Sequence, residues 1–244
     1  MPRRVAIVGA GVAGLVAGRE LLRRGFAVTL FDRWPDVGGQ ASAFDIGNGV
    51  WIDRYYHHLF QSDREMIALH DELLPGDIEW HRSSVSIWAR GRTWPFVSPL
   101  DLLRYGPLPL VDRLRLGAAV LRLSARTDWE AMDDVAALDW LRSAWGSRAV
   151  ESVWTPLMLG KFGPHAKTIP LAWLWSKIVL RRRLRGSGAA KEALGYPRSS
   201  FRAICVALAD DIRKRGGEIH VDREVLSVRA EGDEHVLVCA GPAA

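Results

Sequence analysis

The first apolar positions along the chain are contiguous. Val5 to Val8 is a short, β-branched run, the pattern of a parallel strand covered on both faces. The period then changes. Residues 12–24 place Leu15, Leu22 and several alanines on one helical face, and Gly25 closes the helix. A second strand follows in FAVTLF. Residues 63–74 carry helical spacing again, and Ser84 to Phe96 alternates as a hairpin turning at Gly91. From Pro99 to Arg185 the spacing is mostly three-to-four, as in LVDRLRLGAAVLRL, DDVAALDWLRSAW and RAVESVWTPLML. Asp133 or Asp134 is the expected N-cap of the middle helix. Arg185 to Pro197 reads as a hinge. A last helix spans Phe201 to Arg215 and ends at Gly216-Gly217, followed by the strands EIHV and EVLSVRA.

The turn between the first strand and helix carries the chemistry. Gly9-Ala10-Gly11-Val12-Ala13-Gly14 matches GxGxxG. Gly9 lets the strand turn sharply, Gly11 lets backbone approach a pyrophosphate, and Gly14 lets the helix lie close to the sheet. The first amides of the helix, at Val12 and Ala13, point at the phosphates. Asp32 closes the second strand 18 residues after Gly14, near the roughly 20 expected of a ribose-binding acid. Its carboxylate suits two ribose hydroxyls and repels a 2′-phosphate.

Composition narrows the partners. Lys+Arg 33 against Asp+Glu 28 leaves a formal net charge of +5, which favours anions weakly. Part of the excess is the run Arg181–Arg185, either a solvated helix end or a peripheral contact with a membrane. No basic-aromatic motif suggests nucleic acid. Cys205 and Cys239 form neither a CxxC pair nor a His/Cys cluster, so no metal site is expected, and a reducing, cytoplasmic setting is the default. Eleven tryptophans imply large apolar surfaces in a core, a pocket or an interface. Between Asp53 and His58 the chain crowds Arg54, two tyrosines and two histidines, which marks Tyr56, His57 and His58 as catalytic candidates without choosing between the histidines.

GAGVAGLVAG, LFDR and DVGGQASAF together resemble the FAD-binding start of the flavin amine oxidase superfamily. That superfamily includes monoamine oxidases, protoporphyrinogen oxidases and phytoene desaturases. The resemblance implies an α/β protein: a Rossmann-like FAD-binding domain with an inserted, mostly helical substrate domain. The expected division is 1–75 and 191–244 for the first, 76–190 for the second. FAD is the implied cofactor, with Gly38, Gly39 and Gln40 passing toward the flavin and Arg33 a candidate beside the pyrophosphate. The family usually has glutamate where this chain has Asp32, and often a base where it has Gln40. In GYPRSSF, Ser199 and Ser200 stand where glycines are common, and Val225 matches the adenine-side valine. Lys161 and His165 are weaker candidates in the helical block.

The implied activity is oxidation of an apolar or aromatic small molecule by hydride transfer to flavin. Two other readings remain open: a UDP-galactopyranose mutase-like flavoenzyme, with Arg54 or Arg181 on a diphosphate, and a nucleotide-binding fragment without activity of its own. The family continues beyond the point matched by VLVCAGPAA, so an incomplete reading frame is expected.

Overall fold

A computed structural model describes residues 2–82, 84–96, 98–186, 193–232 and 234–240. For residues 180–186, 234–237, 239 and 240 it describes the backbone alone. In chain order the elements are β1 (Arg4–Val8), α1 (Val12–Arg23), β2 (Ala27–Phe31), β3 (Ala43–Asp45), β4 (Trp51–Asp53), β5 (Leu59–Phe60), α2 (Arg64–Leu73) and β6 (Ile78–Arg82). Then come β7 (Ser86–Ala89), β8 (Arg92–Pro95), α3 (Pro99–Arg104), α4 (Leu110–Ser124), α5 (Ala137–Trp145), α6 (Ser147–Ala149), α7 (Thr155–Phe162) and α8 (Leu171–Gly186). The last are β9 (Ala193–Pro197), α9 (Phe201–Lys214), β10 (Glu218–His220), β11 (Glu224–Glu231) and β12 (Glu234–Ala240). The chain divides into two compact units, residues 1–81 with 193–244, and residues 82–192.

The first unit is built on a parallel sheet in the order β1-β2-β10. Its apolar positions meet α1 and α9 on one face. There Gly18 lies close enough that a Cβ would come 3.1 Å from Leu30 and 3.5 Å from Ile212. Val28, Leu30, Ile204, Leu208 and Ile212 are buried together. The opposite face of β1 is open: its residues alternate, and Val8 is 59% exposed. The expectation of a strand covered on both faces is therefore corrected. Among the described residues one helical layer packs on this sheet, and the apolar positions of β1 that face it are Val5 and Ile7. Arg19, buried on α1, reaches Asp211 on α9 at 2.8 Å and Glu72 on α2, which pins three helices by one guanidinium.

The second unit is mostly helical around Leu116, Leu123, Met132, Leu141, Trp145 and Leu171. Two expectations change here. The middle helix starts at Ala137 and its N-cap is Ala136, so neither Asp133 nor Asp134 caps it. Ala137 N donates to Ile169 O and Leu171 N donates to Val135 O, so a strand-like bridge satisfies the first amide of the helix and sets its start at Ala137. RAVESVWTPLML is not one regular helix either. A π-turn over Val150–Trp154 separates α6 from α7, and Pro156 stands in the first turn of α7. The side chains of Arg181–Arg185 and Cys239, and hinge residues 187–192, lie outside the described residues.

Candidate functional site

The glycine-rich turn follows from backbone sterics. Gly9 holds φ +101, a region that favours glycine. A Cβ at Gly14 would lie 1.9 Å from Gly9 O, so that glycine is demanded by the turn itself. Gly11 differs. Its φ is −72, and a Cβ there would meet nothing closer than 3.9 Å. The protein's own packing does not require glycine at 11. Gly11 is also the N-cap of α1, without a side-chain cap and without an acid in the first turn. The helix start at Val12 and Ala13 is therefore a positive end without a side-chain acceptor. These features fit a pyrophosphate.

Asp32 is buried at the end of β2. Its Oδ2 accepts from Ala10 N at 2.6 Å and its Oδ1 accepts from Trp34 N at 2.9 Å. The acid thus ties the glycine turn to the strand end. Each oxygen retains one acceptor direction for a ribose hydroxyl. Backbone bonds hold the next turn against the first: Gly38 N donates to Ala10 O at 2.8 Å, and Gly11 bridges Gly38. Gly38 and Gly39 both have positive φ, and a Cβ on Gly39 would come 3.3 Å from Gly11 Cα. Gln40 is exposed on the short turn that follows, and Arg33 is exposed beside the Trp34 ring. Val225 lies half-buried on β11, opposite Cys239 of β12, in a separate two-stranded sheet.

The start of α9 gathers the other candidates. Ser200 adopts φ +71, so a serine occupies a left-handed position where glycine is the easy choice. Its Oγ donates to Asp53 Oδ1 at 2.8 Å and accepts from Arg202 N at 3.0 Å. Phe201 N donates to the same Asp53 oxygen. Arg202 pairs with Asp36 at 2.9 Å and lies over the Trp51 ring. A cleft of about 350 Å³ opens beside these residues, lined by Trp51, Ser199, Arg202 and Val206 among others. Cys205 is buried behind Gly38, and burial pushes its thiol up to about 12, out of the nucleophile range.

The two histidines face different neighbours. His57 packs on Phe201, with Nδ1 2.8 Å from Tyr55 O. His58 stands among Tyr56, Phe60 and Tyr196. Tyr196 Oη donates to Tyr56 Oη at 2.6 Å, and His81 also stands near the Tyr196 ring. Burial, then the bond to Tyr56, pushes the Tyr196 phenol up to about 12. Tyr56 itself is 74% exposed. Tyr196 and His81 were not singled out in the sequence, because β9 and β6 carry them far from residues 53–58 and only strand pairing makes them neighbours. Lys161 and His165 belong to the helical unit, on α7 and the turn after it. Among the described residues no group of His, Cys, Asp and Glu could hold a metal.

Residues 7–73 match the model of the NAD(P)-binding Rossmann-like domain. The chain is similar to the carotenoid phi-ring synthase of Streptomyces griseus, at 31% identity over 56% of this chain and 30% of that protein. It is also similar to the 15-cis-phytoene desaturase of Glycine max, at 23% identity over 95% of this chain and 43% of that one. The solved structure of a putative protoporphyrinogen oxidase from Exiguobacterium superposes at TM-score 0.71 and 19% identity, covering 100% of this chain and 58% of that one. The fold is the one this solved structure has, with a Rossmann-like dinucleotide-binding domain at its start. The solved structure of reduced UDP-galactopyranose mutase also shares the fold, at TM-score 0.69 and 18% identity over 99% of this chain and 54% of that one. The chain spans under half the length of both curated relatives.

Proposed function

We propose that this chain is the dinucleotide-holding part of an FAD-dependent oxidoreductase of the amine oxidase and desaturase type. Its substrate would be an apolar or aromatic small molecule. The observation that carries the cofactor reading is Gly11, a glycine that the fold leaves unconstrained beside an uncapped helix start. The similarity to carotenoid and phytoene enzymes supports the apolar substrate class.

Each group then has a task. The Val12 and Ala13 amides receive the pyrophosphate, and Asp32 receives the adenosine ribose while excluding a 2′-phosphate. Gly38 and Gly39 keep the second turn low against the first. Bound FAD would supply the electron-pair acceptor for a substrate hydride. Tyr56, with His58 packed on its ring, and His57 remain the candidates for the substrate side. Tyr56 Oη shares a hydrogen bond of 2.6 Å with Tyr196 Oη while Tyr56 itself stays 74% exposed, so the paired phenols can also meet a ligand.

The test is an FAD titration of the whole chain, followed by flavin fluorescence, with NAD as the control. FAD is expected to bind. Gly11→Ala is expected to weaken it at least roughly tenfold, about 1.4 kcal/mol, with the melting temperature lowered far less than by Gly14→Ala. Equal binding by the variant, or no binding of FAD at saturation, defeats the assignment.

A further inference from the structure

Helix α4 is apolar on two sides. Leu116, Ala119 and Leu123 face the core of the helical unit. On the outer side Val111, Leu114, Ala118, Leu121 and Ala125 recur at spacings of three and four, and all five are exposed. The large ones stand far out: Val111 is 58%, Leu114 55% and Leu121 63% exposed. A solvated helix needs one apolar stripe, and a second is unexplained by this unit's own packing. Leu100 and Leu103 of α3 are exposed as well.

The exposed charges of α4 and α3 are arginines, and Asp101 of α3 is half-buried in the capping box with Ser98. Arg115 and Arg122 are exposed on α4, and Arg104 follows Leu103 on α3. The acid of α4, Asp112, is mostly covered and lies 3.8 Å from Arg115. A second copy of this chain would set arginine against arginine along the seam, which opposes self-association. A leucine stripe flanked by arginines is instead complementary to an anionic lipid surface, with the apolar side chains below the headgroups and the guanidiniums among the phosphates. No helix of the described residues is long and apolar enough to cross a membrane, so such contact lies in the interface plane.

We infer that the outer face of α4, continued by α3, is a docking surface for an anionic bilayer. This stands apart from the cofactor assignment: flavin binding can fail and the vesicle result still decides. The experiment is co-sedimentation of the whole chain with vesicles of phosphatidylglycerol and phosphatidylcholine, against phosphatidylcholine alone. The chain is expected to pellet with the mixed vesicles. Leu114→Glu/Leu121→Glu and, separately, Arg115→Gln/Arg122→Gln should each cut partitioning roughly tenfold or more at unchanged circular dichroism. Absence of lipid-dependent pelleting, or unchanged pelleting by the folded variants, overturns the inference. So does sedimentation velocity showing a wild-type oligomer that the glutamate variant disperses, because the face would then belong to a second copy.

Discussion

The two units are held to their shapes by different means. In the first, polar groups and backbone carry the specification. Asp32 binds Ala10 and Trp34, Asp53 binds Ser200 and Phe201, Arg19 spans three helices, and the glycine turns stack backbone on backbone. In the second, bulk carries it. Trp145 is fully buried with its ring 5.3 Å from that of Trp154. Among the described residues Tyr105 Oη, Trp145 Nε1, Trp154 Nε1 and Thr155 Oγ1 are buried without a hydrogen-bond partner. A core of this kind tolerates orphaned polar atoms because its shape complementarity outweighs them. The first unit fixes individual atoms, whereas the helical unit fixes a volume.

Removing volume is therefore the most severe test of the second unit. Trp145→Ala should destabilise it by about 3–5 kcal/mol in urea unfolding. A loss under about 1 kcal/mol would show that bulk is not what holds it. The matching test in the first unit removes no atoms and adds one methyl. Gly14→Ala forces a Cβ against Gly9 O, a backbone atom that cannot swing away, and should cost roughly 3 kcal/mol. An alanine that melts like the wild type would show that the turn is not sterically specified. Gly11→Ala, three residues earlier, is the internal control, because a Cβ there meets nothing closer than 3.9 Å.

The smallest of these effects sharpens the contrast by pH. His70 is fully buried on α2, and burial lowers its pKa below the ordinary 6.5 despite Asp77 at 3.6 Å and the nearby Asp71. The folded state thus prefers the neutral ring, and the unfolded state binds the proton first. Stability is complete above pH 6.5 and declines as the pH falls below it, by up to about 1.4 kcal/mol per pH unit until the folded ring protonates. Thermal melts of His70→Gln should lose that slope. A variant with the same slope as the wild type would assign the acid sensitivity to another group.

Local sterics and period wrote the β1–α1–β2 unit into the sequence. A GxGxxG turn needs glycine for reasons that lie within six residues, and α9 declares itself by spacing and by Gly216, whose φ is +84. Other features could not be read there, because their causes are distant in sequence. Ser200 tolerates a left-handed backbone with its hydroxyl and the next amide held by Asp53, 147 residues earlier. The helix starts at Ala137, not at the aspartates, where Ala136 pairs with Pro170 across a bridge 34 residues away in sequence. His58 and His57 are adjacent in sequence, but strand pairing and α9 send one to Tyr196 and the other to Phe201. The open side of β1 and the second apolar stripe of α4 were likewise decided in three dimensions. Apolar periodicity says that a residue can be buried, but only the presence or absence of a neighbouring layer says whether it is.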